Sequence, residues 1–182
     1  VMTVMGKNIL NVNACPFEIA GASLKKILKI YDNIDLMLLG YGGAGPYPQC
    51  VENFKDNKKK IKSQKKRINF LEMSKKFIKE INPKHYLPFA GTYYLTGKLS
   101  NLQKFKGVPT IEDASKYLES NISGKSQCIR LNPGSTLSLN NFETSTKYIP
   151  IKNNEIEKYL NNVLSKRKLS YENEKEDNVE NI

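Results

Sequence analysis

Four stretches of the chain carry residues whose types and spacing could do chemistry, and the first is rich in glycine. Gly40-Tyr41-Gly42-Gly43-Ala44-Gly45 follows a predicted strand and formally fits the dinucleotide-binding pattern Gly-x-Gly-x-x-Gly. That pattern requires a helix that begins at the loop and points its N-terminus at a pyrophosphate. Pro46 and Pro48 stand where this helix would make its first turns. Two interpretations therefore remain, a flexible connection and a loop that lines a pocket.

The pocket interpretation draws on polar residues that follow predicted strands. Glycine lets a ligand approach the main chain closely, and Tyr47 and Gln49 add polar side chains beside the loop. The second stretch, Asn13-Ala14-Cys15, follows an earlier strand, and strand ends of α/β proteins commonly face the ligand crevice. Cys15 is either a nucleophile or ligand, or a small buried hydrophobic residue, which is the commoner role of a free cysteine.

The third stretch contains His85, the only histidine of the chain, at the entry to a predicted strand. This position is typical of a surface or structural histidine, and a catalytic role stays open because imidazole titrates near neutral pH. A site with several imidazole ligands is excluded within this chain. Cys15, Cys50 and Cys128 lie far apart in the sequence, so a zinc site built from them would need a spatial coincidence.

The fourth stretch is basic. The 182 residues carry a net charge of +11, and residues 55–79 alone hold 11 basic and 2 acidic residues on a predicted helix. The helix is either a solvated outer face over an apolar stripe or a surface that attracts phosphates, acidic lipids or nucleic acid. Because only three of the 29 basic residues are arginine, a specific nucleic-acid partner is not expected.

Composition limits the class of protein. The length predicts one domain or a large piece of one. No apolar stretch approaches the roughly 18 residues of a membrane span. Three cysteines exclude a disulfide scaffold and indicate a reducing compartment, and no secretion signal is visible, so we predict a cytoplasmic location.

Hydrophobic periodicity predicts helices that alternate with short apolar strands, which is typical of the α/β or α+β class. The predicted strands are residues 1–5, 8–12, 34–39, 85–90 and 127–131, with a hairpin turn at Gly6-Lys7. Three predicted helices are residues 21–31, 55–81 and 154–166. A fourth predicted helix begins at a Thr110–Asp113 capping box and runs through Leu118. We divide the chain into a domain at 1–150, a helical extension at 151–168 and a polar, disordered tail at 169–182.

Four segments, taken in order, resemble the metallo-β-lactamase fold of the CMP-N-acetylneuraminate hydroxylase-like and lactonase-like branches. They are Ile9–Cys15, Ile34–Cys50, Ile81–Tyr93 with its Leu-Pro-Phe-Ala-Gly-Thr-Tyr stretch, and Arg130–Leu137. Together they span about residues 9–140. The resemblance implies the C-terminal half of an αββα sandwich, and the family's His-x-His-x-Asp-His metal motif belongs to the other half. Because the chain opens inside a predicted strand, we expect the fold to be incomplete and one apolar sheet face to be exposed.

Two departures from the family affect the metal. Ala14 stands where the resemblance implies an aspartate ligand, and Ala90 stands where lactonase-like relatives carry a histidine. A methyl group cannot coordinate a metal, so a divalent zinc, manganese or iron ion is expected only if the missing half supplies its ligands. This chain alone is expected to be inactive, and its status as an enzyme stays open.

The leading functional hypothesis is a fragment of a metal-dependent hydrolase or hydroxylase-like protein. Its partners would be the missing N-terminal half and a small anionic substrate, such as a carbohydrate phosphate or nucleotide sugar. The predicted substrate pocket comprises Asn13, Gly43, Tyr47, Gln49, Gly91, Tyr93 and Arg130, the last as a partner for phosphate or carboxylate. The alternatives are a metal-free binding domain derived from that fold and a basic nucleic-acid or membrane-surface binder through residues 55–79.

Overall fold

The computed structural model describes residues 1–169 and shows a mixed α/β protein built on one five-stranded sheet. The strands are β1 (Met2–Val4), β2 (Lys7–Asn11), β3 (Leu36–Gly40), β4 (His85–Phe89) and β5 (Gln127–Cys128). The helices are α1 (Phe17–Ile30), α2 (Asp56–Ile81), α3 (Ile111–Asn121) and α4 (Asn153–Asn162), with 3-10 segments at Gly97–Phe105 and Leu164–Lys166.

The five strands lie in sequence order across the sheet. β1 pairs with β2 antiparallel, and β2, β3, β4 and β5 run parallel to one another. The parallel register places Leu38 beside Leu87 and Tyr86 beside Cys128. The three crossover connections contain α1, α2 and α3, so the carboxyl ends of β2 to β5 all meet at one edge of the sheet.

All three crossover helices cover the same face of the sheet. Their buried side chains pack on Leu10, Met37 and Tyr86 of the strands. The helical contributions are Ala20 and Leu24 from α1, Phe77, Ile78 and Ile81 from α2, and Leu118 from α3. Full burial of each large apolar side chain stabilises the fold by about 1.5–3 kcal/mol, so this face forms the main core.

The opposite face of the sheet is covered less completely. Ile9, Leu36 and Ile129 are buried there. The half-buried side chains packed around them are Leu38 and Leu87 of the sheet and Leu131, Leu137, Leu139 and Phe142 of the segment that follows β5. This face is therefore covered only by the short segment that contains Leu137, Leu139 and Phe142, whereas the other face is covered by three helices.

Two helix predictions are confirmed in detail. α2 spans Asp56–Ile81 against a prediction of 55–81, and Asn82 ends it in the left-handed conformation at φ 46°. Asparagine tolerates that conformation better than most residues, and Pro83 prevents the helix from continuing. The capping box is also present, because the Thr110 side chain accepts from the Asp113 N–H and the Asp113 carboxylate accepts from the Thr110 N–H.

Other predicted boundaries are wrong. The hairpin turn lies at Met5-Gly6 and not at Gly6-Lys7. Helix α1 begins four residues earlier than the predicted residue 21, at Phe17, directly after Pro16. Only Gln127–Cys128 of the predicted strand 127–131 pairs as a strand, and the 3-10 segment Gly97–Phe105 was not predicted. Predicted helix 154–166 divides into α4 and a short 3-10 turn.

The turn between β1 and β2 predicts a stabilising substitution. Met5 and Gly6 have φ angles of 51° and 71°, as a type I′ hairpin turn requires, and Met5 is exposed. Asparagine favours this conformation, so Met5→Asn should raise the free energy of unfolding by about 1 kcal/mol. Urea unfolding followed by circular dichroism measures the change. Met2→Asn, at an exposed extended position of β1, should give no gain, and an equal gain from both variants would contradict the turn argument.

The chain divides into two compact units. The first comprises residues 1–93 and 105–150, and the second comprises residues 94–104 and, of the described chain, 151–169. The second unit contains α4, whose Ile156 and Leu160 line an apolar cavity of about 260 Å³ together with Tyr94 and Ile151. Apart from Leu169, the predicted tail at 169–182 lies outside the described residues. No helix within residues 1–169 combines the length and hydropathy that crossing a bilayer requires.

Candidate functional site

The carboxyl edge of the sheet brings three of the predicted segments together. Asn13 and Ala14 follow β2, the loop Gly40–Gly45 follows β3, and Ala90 and Gly91 follow β4. A Cβ atom placed on Gly40 would lie 2.7 Å from Asn13 Oδ1, and one on Gly42 would lie 2.3 Å from the Gly91 carbonyl oxygen. The glycine-rich loop is thus in close contact with the chain on both sides of it.

Close approach, and not an unusual φ angle, explains the glycines of this loop. None of Gly40, Gly42, Gly43 and Gly45 has a positive φ, whereas Gly6 in the hairpin turn does. The next helix begins only at Asp56, so no helix N-terminus follows the loop directly. The geometry therefore lacks the feature by which a Gly-x-Gly-x-x-Gly loop binds a pyrophosphate.

A lysine of the basic helix holds the far end of the loop. Lys66 Nζ, on α2, donates to the carbonyl oxygens of Gly45 and Tyr47, each at 2.7 Å. Burial lowers the pKa of Lys66. The hydroxyl of Ser74, on the same helix, lies 3.2 Å from the Gly40 carbonyl oxygen and 2.9 Å from the Phe70 carbonyl oxygen, so its one proton serves two acceptors. α2 therefore fixes the loop near both of its ends, and neither residue was predicted to belong to the site.

Tyr93 and Gln49 form the polar centre of this cluster. The Tyr93 hydroxyl donates to Gln49 Oε1 and lies 3.1 Å from the Gly45 carbonyl oxygen. Burial raises the pKa of Tyr93. Gln49 is fully buried, and its Nε2 has no hydrogen-bond partner among residues 1–169. A buried amide N–H normally has an acceptor, so the side-chain amide of Gln49 is an unusual feature of this cluster.

Several side chains of the cluster face solvent. Asn13, Ala14 and Ala90 are exposed, and Tyr47 is 44% exposed with its ring edge-to-face against Phe54 at 6.1 Å between centroids. Gly43 packs against the Phe70 ring and Gly91 against Tyr41. The predicted pocket residues Asn13, Gly43, Tyr47, Gln49, Gly91 and Tyr93 therefore belong to one connected region, which we call the carboxyl-edge cluster.

Ala14 and Ala90 share an unusual backbone conformation. Their φ angles are 54° and 50°, in the left-handed region that favours glycine, asparagine, aspartate and histidine over alanine. They follow β2 and β4, which are two strand spacings apart, or about 10 Å. Both present methyl groups, which cannot coordinate a metal. Nowhere in the described chain do three or more His, Cys, Asp or Glu side chains gather as a metal site would require.

Cys15 and His85 occupy structural positions. Cys15 packs against the core under the helices, and its sulfur lies 3.8 Å from the Pro16 carbonyl oxygen. All three cysteines are free. His85 begins β4, so it lies at the amino end of the strand, where its ring stacks on Phe142 with centroids 4.1 Å apart.

Arg130 lies beside β5 rather than within the contacts of the carboxyl-edge cluster. Its guanidinium is 3.9 Å from Glu119 of α3 and 5.3 Å from the centre of the Tyr148 ring. It lines a groove of about 560 Å³ together with His85 and Lys147. Its position identifies a second polar region, at the edge of the sheet.

The contacts of α2 divide its basic residues into two groups. Lys66 holds the glycine-rich loop, Arg67 forms an ion pair with Asp113 at 2.5 Å, and Lys59 is buried over the Phe105 ring. Lys60 and Lys65 are exposed, and so are Ile61 and Ile68 on the same helix. Three of the eleven basic residues in segment 55–79 thus make structural contacts, which weakens the charge argument for a binding surface.

Comparison of this chain with protein-family models, with curated proteins and with solved structures found no match.

Proposed function

We propose that the carboxyl-edge cluster binds a small anionic ligand, with the carbohydrate-phosphate or nucleotide-sugar class as the first candidate. The observation that carries the proposal is the convergence of three strand ends on one glycine-rich loop. Asn13 and Tyr47 offer exposed polar side chains there, and the buried amide N–H of Gln49 has no acceptor within residues 1–169. Convergent polar groups at the carboxyl ends of parallel strands are the usual setting of a ligand site.

The less completely covered sheet face supports the proposal that this chain is one half of a two-sheet sandwich like that of the metallo-β-lactamase fold. Leu38, Leu87 and Leu131 remain half-buried on that face, while the other face is covered by three helices. A second sheet packed on these residues would remove their remaining apolar surface from water. The partner in this proposal is the half of the fold that the resemblance places before residue 9.

The residues of this edge do not fit a metal ion. Ala14 and Ala90 hold the backbone in the conformation that suits aspartate or histidine, and their methyl groups have no donor atoms. Cys15, the nearest thiol in sequence, faces the core. We therefore propose ligand binding, and not metal-dependent hydrolysis, as the contribution of this chain. This favours the alternative of a metal-free binding domain.

A second candidate function is binding to an anionic membrane surface through α2. Ile61 and Ile68 are 60% and 49% exposed, and exposed Lys60 and Lys65 lie on the same helix. Apolar side chains between lysines suit an anionic bilayer better than nucleic acid, which favours aromatic platforms and arginine. Reversal of Lys60 and Lys65 tests this candidate without disturbing Lys66 or Arg67, which make structural contacts.

The primary test is an NMR titration with two probes, cytidine monophosphate and glucose 6-phosphate. We expect shifts confined to the carboxyl-edge cluster, and Tyr47→Ala should weaken binding about tenfold, which corresponds to about 1.4 kcal/mol. The matched control is Tyr159→Ala, because Tyr159 is 56% exposed on α4. Zinc ions alone should not shift the resonances of Asn13, Ala14 or Ala90.

Four outcomes would contradict the proposal. Shifts distributed outside the cluster, or an equal effect of the two tyrosine variants, would remove the assignment of the site. The absence of binding by either probe would reject the anionic ligand class. A zinc-induced shift at Ala14 and Ala90 would show that a metal binds despite their methyl groups, and the hydrolase hypothesis would return to first place.

A further inference from the structure

The outer edge of β5 has main-chain groups that point away from the sheet. The N–H groups of Gln127 and Ile129 donate to the carbonyl oxygens of Lys84 and Tyr86, at 2.9 and 2.8 Å. Main-chain groups of successive residues point to opposite sides of a strand, so those of Cys128 and Arg130 point outward. β5 is the last strand of the sheet in the described chain. Its outer edge is thus a template for another strand.

A groove of about 560 Å³ runs along this edge. The sheet side is lined by Gln127–Arg130 together with His85 of β4, and the other side by residues 141–144, Lys147 and Tyr148. Because side chains alternate between the two faces of a strand, four consecutive residues share a groove only through the edge of the strand. The groove therefore exposes the main chain as well as the side chains of β5.

The far wall of the groove is held by its own hydrogen bonds. Asn132 exchanges two of them with the main chain of Ile149, at 2.7 and 2.8 Å, which closes the segment between these residues into a loop. Leu137 and Thr144 form an antiparallel bridge within that loop. Tyr148 donates its hydroxyl to Glu112 Oε1 at 2.7 Å, which fixes the wall to α3. The groove is pre-formed, so a ligand does not have to order it.

The charges along the groove favour an acidic ligand. Arg130 lies 3.9 Å from Glu119, beyond hydrogen-bond distance, and its side chain is 37% exposed. Lys147 is exposed on the opposite wall. Glu143, the acidic residue of the lining, already accepts from Asn141 Nδ2 at 2.5 Å. The lining thus carries two cations, Arg130 and Lys147, against the one carboxylate of Glu143, whose hydrogen bond to Asn141 does not remove its charge.

We propose that an extended, acidic peptide segment of a partner protein binds in this groove as a sixth strand beside β5. Its main chain would pair with the outward N–H and C=O groups of Cys128 and Arg130, and an acidic side chain would pair with Arg130 or Lys147. An extended chain matches donors and acceptors that repeat every second residue along a strand, which a small anion does not. The proposal is independent of the ligand proposed for the carboxyl-edge cluster.

The test uses fluorescence anisotropy of the probe fluorescein-Thr-Val-Glu-Val-Thr-Val-amide, in which the label is attached to the N-terminal amine. We expect a dissociation constant on the order of 100 µM. Two further probes carry N-methyl groups on alternate amides, one on the odd-numbered and one on the even-numbered residues. The probe whose methyl groups face β5 should bind at least tenfold more weakly. Replacing its glutamate by lysine should weaken binding, and so should Arg130→Glu. Lys125→Glu is the matched control, because Lys125 is an exposed cation that precedes the strand.

Amide hydrogen exchange provides a readout that side-chain charge alone would not change. In the free protein the amides of Cys128 and Arg130 should exchange faster than those of Gln127 and Ile129, which are bonded to β4. Added probe should slow the exchange at Cys128 and Arg130. Binding that survives both N-methylated probes, or leaves these two amides unprotected, would show attachment through charge only and overturn the proposal. Failure of the probe to bind at 1 mM, about tenfold above the expected constant, would also overturn it.

Discussion

Gly42→Ala is expected to destabilise the protein by about 3 kcal/mol, near the upper end of overpacking effects. The added Cβ would lie 2.3 Å from the Gly91 carbonyl oxygen and 2.5 Å from Val108 Cγ1. The first of these atoms belongs to the main chain, so no side-chain rotation can relieve the clash. Val108 is also fully buried and has little freedom to move. The loops after β3 and β4 would have to separate.

Gly45→Ala is the matched control, because it makes the same change three residues later in the same loop. No atom lies within 4 Å of a Cβ placed on Gly45, and its φ is not positive. We expect its free energy of unfolding to stay within about 0.5 kcal/mol of the wild type. Urea unfolding of the three proteins measures both effects. Equal stability of the two variants would show that the close contact between Gly42 and Gly91 is not part of the folded structure.

The same pair of variants also bears on the proposed ligand site. Gly42 joins the loop after β3 to the loop after β4, which carries Ala90 and Tyr93. If the carboxyl-edge cluster binds the ligand as one unit, Gly42→Ala should abolish binding under conditions where the protein is still folded. Gly45→Ala should preserve it. The role of the glycines is then close packing of neighbouring loops, and not direct contact with a phosphate.

Elements with strong local signals could be predicted from the sequence. α2 has a long apolar periodicity and a stop at Asn82-Pro83, and the structure ends it at Ile81. The Thr110–Asp113 capping box satisfies its hydrogen bonds within four residues, so its outcome depends little on the rest of the fold. The apolar run before the glycines is a strand because both of its faces are covered.

The sequence predicts less accurately the bounds of elements that depend on contacts with distant residues. β5 is limited to two residues, although Ile129 beyond it still donates its N–H to Tyr86 of β4, and Ile129 and Leu131 pack with the segment that follows β5 on the second face. The hairpin turn was shifted by one residue because methionine at a positive φ is uncommon, and local preference pointed to glycine as the first turn residue. Tertiary pairing overrides propensity at both positions.

The residues of the candidate site also divide into those that the sequence predicts and those that depend on tertiary contacts. Strand-end position and the resemblance together placed Asn13, Tyr47, Gln49 and Tyr93 in one region, because parallel strands bring their carboxyl ends together. The role of Lys66 could not be predicted, because Lys66 lies inside a run of basic residues and the sequence does not show which of them contacts the glycine-rich loop. The orphan N–H of Gln49 likewise depends on burial, which the sequence does not record.

Asp35→Asn is expected to cost about 2 kcal/mol at pH 7, because Asp35 connects the amino ends of three strands. Its buried carboxylate accepts from the Asn8 N–H at 2.9 Å and from Lys84 Nζ at 2.8 Å. Its main chain also bonds to Asn8 and His85. Asparagine keeps one acceptor oxygen but loses the charge that faces Lys84. Because Lys84 is 56% exposed, water screens part of that attraction, so the cost stays below that of breaking a fully buried ion pair.

The cost of this substitution should depend on pH. Burial by itself raises the pKa of Asp35, but the hydrogen bond and charge of Lys84, the Asn8 N–H and the charge of Lys7 together leave the pKa below its usual range. A carboxyl whose pKa is lower in the folded than in the unfolded state stabilises the fold above the unfolded value of about 3.9. That stabilisation is lost as the pH falls through the folded pKa. Wild type and Asp35→Asn should therefore approach equal stability in acid.

Urea unfolding at pH 7 and at about pH 2.5 measures this convergence, and we expect the difference between the proteins to fall by at least half. Asp32→Asn removes an exposed carboxylate three residues earlier and should change stability little at either pH. Lys84→Met leaves Asp35 buried without its cation, so it should also destabilise the protein at pH 7, and this destabilisation should shrink in acid because the pKa of Asp35 is then no longer lowered by Lys84. A difference between wild type and Asp35→Asn that stays constant over this range would show that shape alone, and not the charge of Asp35, holds the three strands at this end of the sheet.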